Sequence, residues 1–95
     1  MLTAVIHALA GHPEWEVAFR TAGTDLIVTV FGPHVKNPID NKEHLTRPYL
    51  GGQLQLPVDE VALCNLIGKL RKDLEYEIRG HCHKYGVANP ISVDR

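Results

Sequence analysis

The chain has 95 residues, a formal net charge of −1 at pH 7 and 44% hydrophobic residues. This length fits one small domain spanning residues 1–95, and the composition excludes a disordered tail. No apolar run approaches the ~18 residues that a membrane helix needs. The near-zero charge argues against a general nucleic-acid binder, because such a protein needs a basic face to displace counterions.

The first segment, "LTAVIHALA" at residues 2–10, is mostly apolar. Leu2, Val5, Ile6 and Leu9 recur at helical spacing, which predicts a short helix; a strand is the alternative, since Val5 and Ile6 are β-branched. No basic residue precedes the run, so it does not resemble a signal peptide. Two cysteines without export features predict free thiols and a cytoplasmic protein.

Two alternating segments predict a β-hairpin. In "EWEVAFRT" (residues 14–21) apolar side chains alternate with polar ones, which is typical of a half-buried strand. In "DLIVTVF" (residues 25–31) both faces are apolar, which predicts a central strand or one covered on both sides. Between them "AGTD" contains Gly23, which can adopt a positive φ in a tight turn.

Residues 33–48 break every periodic pattern and contain Pro33, Pro38 and Pro48. Because proline fixes φ and has no amide hydrogen, we expect a long Pro-rich loop here. Loops of this length are unusual in small domains and are often functional. A third strand follows within residues 49–56, and the Gly51–Gly52 pair in it predicts a bulge or a close backbone approach.

The segment from Pro57 to Gly86 predicts a long C-terminal helix. Asp59 and Glu60 are typical of a helix start, and Gly86 of a helix end. The expected fold is therefore α+β, in the order α-β-β-β-α, with a small antiparallel three-stranded sheet. Residues 87–95 are expected to form a loose tail or an extra edge strand.

The length of the last helix predicts a homo-oligomer. A helix from Val58 to Tyr85 would be ~42 Å long, whereas a chain of this size should be only ~30 Å across. Its apolar stripe would need cover beyond one small sheet, and another copy of the helix is the simplest cover. The expected interface residues are Leu70, Leu74, Ile78, Cys82 and Tyr85. The alternative is that the helix breaks at Gly80 and the rest folds back.

The stretch "GHCHKYG" at residues 80–86 admits three interpretations. If the helix continues to Tyr85, Cys82 is a buried small hydrophobe, and the two flanking histidines project in different directions. A metal site in one chain would need further ligands from His34, His44 or Asp40. A metal site shared between subunits is the third interpretation. None of the established zinc spacings is present, so we expect no metal and no cofactor.

The Pro-rich loop and the glycine pair supply the residues expected to bind a ligand or partner. Cationic side chains gather in the loop, and backbone N–H groups at two glycines could approach a phosphate. These residues are His34, Lys36, Lys42, His44, Arg47, Gly51 and Gly52. Neither a P-loop nor a G-x-G-x-x-G motif accompanies them.

We expect a non-enzymatic binding or inhibitory protein, because the chain carries no catalytic motif and offers one long polar loop. Short chains of this kind include phage or mobile-element accessory proteins that block a host system. The alternative is a sponge for a small anionic ligand, such as a nucleotide, bound between subunits. A second alternative is a small metal- or histidine-dependent enzyme, with His34 or His44 as base beside Asp40 or Glu43.

Nucleic acid is not an expected partner. The element order also occurs in double-stranded-RNA-binding domains, but here the last helix opens with Asp59 and Glu60, where an RNA phosphate contact would need lysines. No membrane partner is expected either.

Overall fold

The structure, a computed structural model, describes residues 2–39 and 42–91. These residues form α1 (Leu2–Ala8), β1 (Glu16–Ala22), β2 (Asp25–Phe31), β3 (Val35–Ile39), β4 (Lys42–Thr46), β5 (Tyr49–Gln55) and α2 (Glu60–Tyr85). The predicted α+β fold, with a short first helix, a three-stranded antiparallel sheet and a long last helix, is confirmed. Among the described helices, none is long and apolar enough to cross a membrane.

The main sheet has the order β1-β2-β5, with both strand pairs antiparallel. The turn between β1 and β2 contains Gly23 at φ 61°, a left-handed conformation that favours glycine. On the central strand, Leu26, Val28 and Val30 are buried on one face, while the opposite face is only half-buried. One face of the sheet therefore holds the core, and the other is partly open to solvent.

Helix α2 begins and ends at the predicted caps. The Asp59 carboxylate accepts a hydrogen bond from the Val61 amide at 3.0 Å, and Gly86 adopts φ 65°. The helix passes through Gly80 without a break, since a glycine inside a helix costs only ~1 kcal/mol. The stripe on its inner face is fully buried: Leu63, Ile67, Leu70, Leu74, Ile78 and Cys82.

Most of the segment 33–48 is a second hairpin rather than a loop. Strands β3 and β4 pair antiparallel, with Val35 opposite Thr46 and Pro38 opposite Glu43. Each strand of an isolated hairpin has one edge without a partner, so a proline without an amide hydrogen can be accommodated there. The expectation of an irregular loop is corrected for this reason, although Pro33 and Pro48 do lie in the connections that flank the hairpin.

The apolar stripe of α2 is covered within one chain, so four of the five residues predicted for a subunit interface are buried by this chain's own elements. Leu70, Leu74, Ile78 and Cys82 are 2–6% exposed, and only Tyr85, at 44%, faces solvent. The sheet, α1 and the second hairpin all pack on α2. The molecule measures 46 × 33 × 17 Å, so a helix of ~39 Å fits along its longest dimension. The helix therefore does not overhang the molecule, which is elongated rather than spherical as the length argument assumed.

The described part of the tail, residues 87–91, folds back on the end of α2. The Val87 amide donates to the Cys82 carbonyl at 3.1 Å, and Ile91 is 7% exposed. This segment is neither a loose end nor an edge strand. Residues 92–95, the rest of the predicted tail, lie outside the described part of the chain.

Candidate binding cleft

A cleft of about 350 Å³ lies between the second hairpin, the start of β5 and the C-terminal half of α2. Val35 belongs to the core, so the hairpin face that carries it is turned toward α2. The residues lining the cleft are Val35, Asn37, Thr46, Arg47, Pro48, Tyr49, Leu74, Glu77, Ile78 and His81. Three separate elements build the site, so no continuous sequence motif marks it.

The cleft has an apolar floor and a polar rim. Leu74 and Ile78 form part of the floor and are buried, whereas Tyr49 at the rim is 65% exposed. Glu77 is exposed, and its carboxylate has no hydrogen-bond or ion-pair partner among the described residues. The cleft therefore combines an apolar floor with one carboxylate at its mouth that has no ion-pair partner among the described residues.

At one end of the cleft, Arg47 holds neighbouring segments of the chain together through its guanidinium. Its guanidinium donates to the Gly32 carbonyl at 3.0 Å and to the Glu14 carbonyl at 3.2 Å, and it forms an ion pair with Glu16. The same group lies over the Phe31 ring, 5.6 Å from its centre. These contacts join the β4–β5 connection to the start of β1 and the end of β2. The guanidinium that the sequence analysis assigned to ligand binding is therefore already bonded within the chain.

His81 joins α2 to the second hairpin. Its Nε2 lies 2.9 Å from the carbonyl oxygen of Lys36, so a ring N–H donates to the hairpin backbone, and its ring packs on Tyr85 at 4.8 Å between centres. His83, two positions on, is exposed. The two histidines thus diverge around the helix, as the helical interpretation of "GHCHKYG" requires.

Cys82 is a packed thiol. It is 5% exposed, and its Sγ donates to the Ala88 carbonyl at 3.5 Å. Burial raises the pKa of this thiol, because the charged thiolate is poorly solvated there. The second thiol, Cys64, is half-buried, and both cysteines are free. Among the described residues, no group of three or more His, Cys, Asp or Glu side chains is placed to hold a metal ion.

Replacing His81 with alanine should loosen the second hairpin without unfolding the sheet. The variant loses the hydrogen bond to the Lys36 carbonyl, and we expect amide hydrogen exchange in residues 35–46 to rise several-fold while β1 and β2 stay protected. Native-state hydrogen exchange read by mass spectrometry measures this. His83→Ala is the matched control, since His83 is exposed on the same helix. Equal exchange in the two variants would contradict the assignment.

The predicted cationic site is not assembled. His34, Lys36, Lys42 and His44 are all exposed along the second hairpin and the connection before it, and none of their side chains lines the cleft, which takes only Arg47 from this set. Lys36 lies on the opposite face of the hairpin from Val35, whereas Lys42 and His44 share the face of Val35, with His44 opposite Asn37. Asp40, named as a possible carboxylate partner, lies outside the described residues, as does the side chain of Glu43.

Gly51 and Gly52 have separate roles. A Cβ on Gly52 would lie 3.1 Å from Leu66 Cδ1, so this glycine lets α2 approach the sheet closely. A Cβ on Gly51 would make only ordinary van der Waals contacts, on the other face of the sheet. The predicted close backbone approach at this pair is thus to α2 through Gly52, and the two glycines do not form a phosphate cradle.

The sequence analysis did not identify Tyr49, Glu77 and His81 as residues of one site. A signal was present for part of it, because Glu77 and His81 are one helical turn apart beside the buried Ile78. No protein-family model matches the chain, and no curated protein and no solved structure shows significant similarity to it. The function is therefore argued from the geometry of the cleft.

Proposed function

We propose that this chain is a non-enzymatic binding protein that acts in the cytoplasm, and that its cleft receives a basic side chain from a protein partner whose activity it inhibits. The observation that carries the proposal is the Glu77 carboxylate, which has no partner in the described chain and stands at the mouth of a cleft with an apolar floor.

The charges around the cleft favour a cation over an anion. The positive charge of Arg47 is matched by Glu16, which leaves Glu77 as the unbalanced charge of the lining. A lysine or arginine side chain has an apolar stem and a cationic head, so it can cover Leu74 and Ile78 while its head reaches Glu77. The exposed ring of Tyr49 adds a face on which a cation can rest.

The structure supports a small anionic ligand less well. The other cations proposed for it do not line the cleft, and Arg47 already binds two carbonyls and a carboxylate. A binding role also fits His81, because this histidine of the cleft donates to a backbone carbonyl and is not paired with a carboxylate. Both free thiols are consistent with a reducing compartment.

The test uses small probes that imitate single side chains. Acetyl-arginine amide and acetyl-lysine amide should shift the amide NMR signals of Tyr49, Glu77 and His81 in a saturable manner. Acetyl-glutamate amide and inorganic phosphate should not. In Glu77→Gln we expect the affinity for the arginine probe to fall about fivefold or more, since a charge-assisted contact is lost.

Asp73→Asn is the matched control for this experiment. It removes one negative charge from the same helix, one turn earlier and outside the cleft, where Asp73 pairs with Lys69. Equal weakening in both variants would show a general charge effect and reject the site. Phosphate shifts in the cleft would instead favour the anionic ligand.

The partner itself can be captured through the same cleft. A photo-crosslinking amino acid in place of Asn37, which lines the cleft, should join the chain to one host polypeptide, identified by mass spectrometry. An excess of acetyl-arginine amide should suppress that product. A crosslink that the arginine probe leaves unchanged would place the contact outside the cleft.

A further inference from the structure

Strand β5 is an unprotected edge of the main sheet. It pairs with β2 on one side, and among the described residues no strand pairs with it on the other. Natural sheets usually guard such edges with charged residues or proline, because unpaired backbone groups template the addition of another strand. The β5 sequence, "YLGGQLQ", has no charged residue and no proline.

The hydrogen bonds at both ends of β5 show which backbone groups face this edge. The Leu56 amide donates to the Thr24 carbonyl at 2.8 Å, and the Gly32 amide donates to the Pro48 carbonyl at 2.9 Å. Hydrogen-bonded and non-hydrogen-bonded pairs alternate along an antiparallel ladder, so the even-numbered residues of β5 bond to β2. The N–H and C=O groups of Tyr49, Gly51, Gln53 and Gln55 therefore point toward the open edge.

We propose that β5 pairs antiparallel with β5 of a second copy of this chain, about a two-fold axis at Gly52. This register sets Tyr49 against the partner's Gln55 and Gly51 against the partner's Gln53. It makes every outward N–H and C=O of the strand part of a hydrogen-bonded pair, and it joins two three-stranded sheets into one of six strands. This surface is not the α2 stripe predicted as an interface from the sequence, because the chain's own elements cover that stripe.

The side chains of β5 suit this pairing. Leu50 and Leu54, both half-buried on the face toward α2, become cross-strand neighbours, and such apolar pairs stabilise a sheet. Gly52 lies on the axis, where the two backbones come closest. Because the axis is perpendicular to the sheet, α2 of both copies lies on the same side of it. No like charges meet, since the strand carries none.

The other edge of the sheet fits self-pairing less well. Strand β1 carries Glu16 and Arg20 on its outer face, and charged side chains of this kind protect an edge. Glu16 is also held by Arg47. The β1 edge thus carries charged side chains that oppose the addition of another strand, and the β5 edge carries none.

The experiment exploits the predicted contact between positions 51 and 53. A side chain at position 51 meets only ordinary contacts within the chain, and Gln53 is exposed, so both accept substitution. The double variant Gly51→Lys/Gln53→Lys places lysines opposite each other in the dimer, and Gly51→Glu/Gln53→Glu does the same with carboxylates. Each should weaken dimerisation about tenfold or more. An equimolar mixture should restore it, because every facing pair is then of opposite sign.

Sedimentation velocity across micromolar to millimolar concentrations measures the dimer, and circular dichroism checks that each variant is folded. A concentration-dependent wild-type dimer that both variants lose and their mixture regains supports the proposal. A wild-type protein that stays monomeric overturns it. Variants that dimerise as well as the wild type, or a mixture that fails to dimerise, overturn the β5 register.

Discussion

Replacing Ile78 with alanine is expected to destabilise the protein by about 2–5 kcal/mol, the range for large-to-small changes in a packed core. Ile78 is 2% exposed, and its Cδ1 would lie only 3.1 Å from a Cβ added to Gly32. The change leaves a cavity between α2 and the end of β2. Small domains have a total stability of only about 5–15 kcal/mol. Urea denaturation followed by circular dichroism measures the loss.

The Ile78→Ala variant also tests whether the α2 stripe packs within one chain or between two chains. If Ile78 packs within one chain, the loss of stability is independent of protein concentration; if it packs between chains, the loss varies with concentration. Tyr76→Ala is the control, because Tyr76 is 76% exposed on the same helix and should change stability by less than about 0.5 kcal/mol. A small effect at Ile78 would favour the predicted helix interface.

Replacing Arg47 with alanine is expected to cost about 2–3 kcal/mol, because hydrogen bonds from a charged group contribute more than neutral ones. The Arg47 side chain is 29% exposed and binds the Gly32 carbonyl, where the main sheet meets the second hairpin. The ion pair adds little, since Glu16 is 65% exposed and surface pairs contribute less than about 1 kcal/mol. Thermal unfolding of the purified variant measures the loss.

Lysine should not replace arginine at position 47. A lysine ammonium lacks the planar fork that reaches two separate carbonyls and rests on Phe31 at the same time. We therefore expect Arg47→Lys to recover less than half of the lost stability. Replacing the exposed His44 with alanine should leave stability unchanged. A fully stable Arg47→Ala variant would return Arg47 to the ligand-binding residues.

The elements that follow local rules were predictable from the sequence. Alternation of apolar residues defined β1 and β2, and glycine marked their turn. Asp59 and Gly86 marked the ends of α2 because capping depends on a single side chain or a single φ angle. The fold class followed from these elements, since a half-apolar sheet and an amphipathic helix bury their apolar faces against each other.

The second hairpin was not predictable from the same rules. Its strands are short, and Pro38 lies inside one of them, which a local reading takes as a signal against strand. The proline is tolerated because the strand has a free edge, a fact that only the three-dimensional arrangement reveals. The cover of Ile78 and Cys82 was missed for a related reason, since the hairpin and the tail were not expected to pack on α2.

The candidate site was mostly hidden because its residues come from different elements. Tyr49 starts a strand, Asn37 lies in the second hairpin and Glu77 lies on the helix, so their proximity depends on how β3 packs against α2. The sequence did identify Arg47, but a guanidinium bound by carbonyls of its own chain cannot be distinguished from a free one without coordinates. The sequence shows which side chains are charged, but it does not show which of them are paired within the folded chain.

The placement of the second hairpin also bears on how the chain folds. Pairing the end of β2 with the start of β5 must close residues 32–48 into a loop, and loop closure costs entropy that grows with length. If β3 and β4 pair first, the connecting loop that remains shortens to residues 32–34 and 47–48, which lowers the cost of this later step by about 1 kcal/mol. In that order of events the hairpin brings the ends of β2 and β5 together before they pair. Because it leaves and re-enters the sheet at neighbouring positions, evolution could lengthen or replace it without disturbing the strands that frame it.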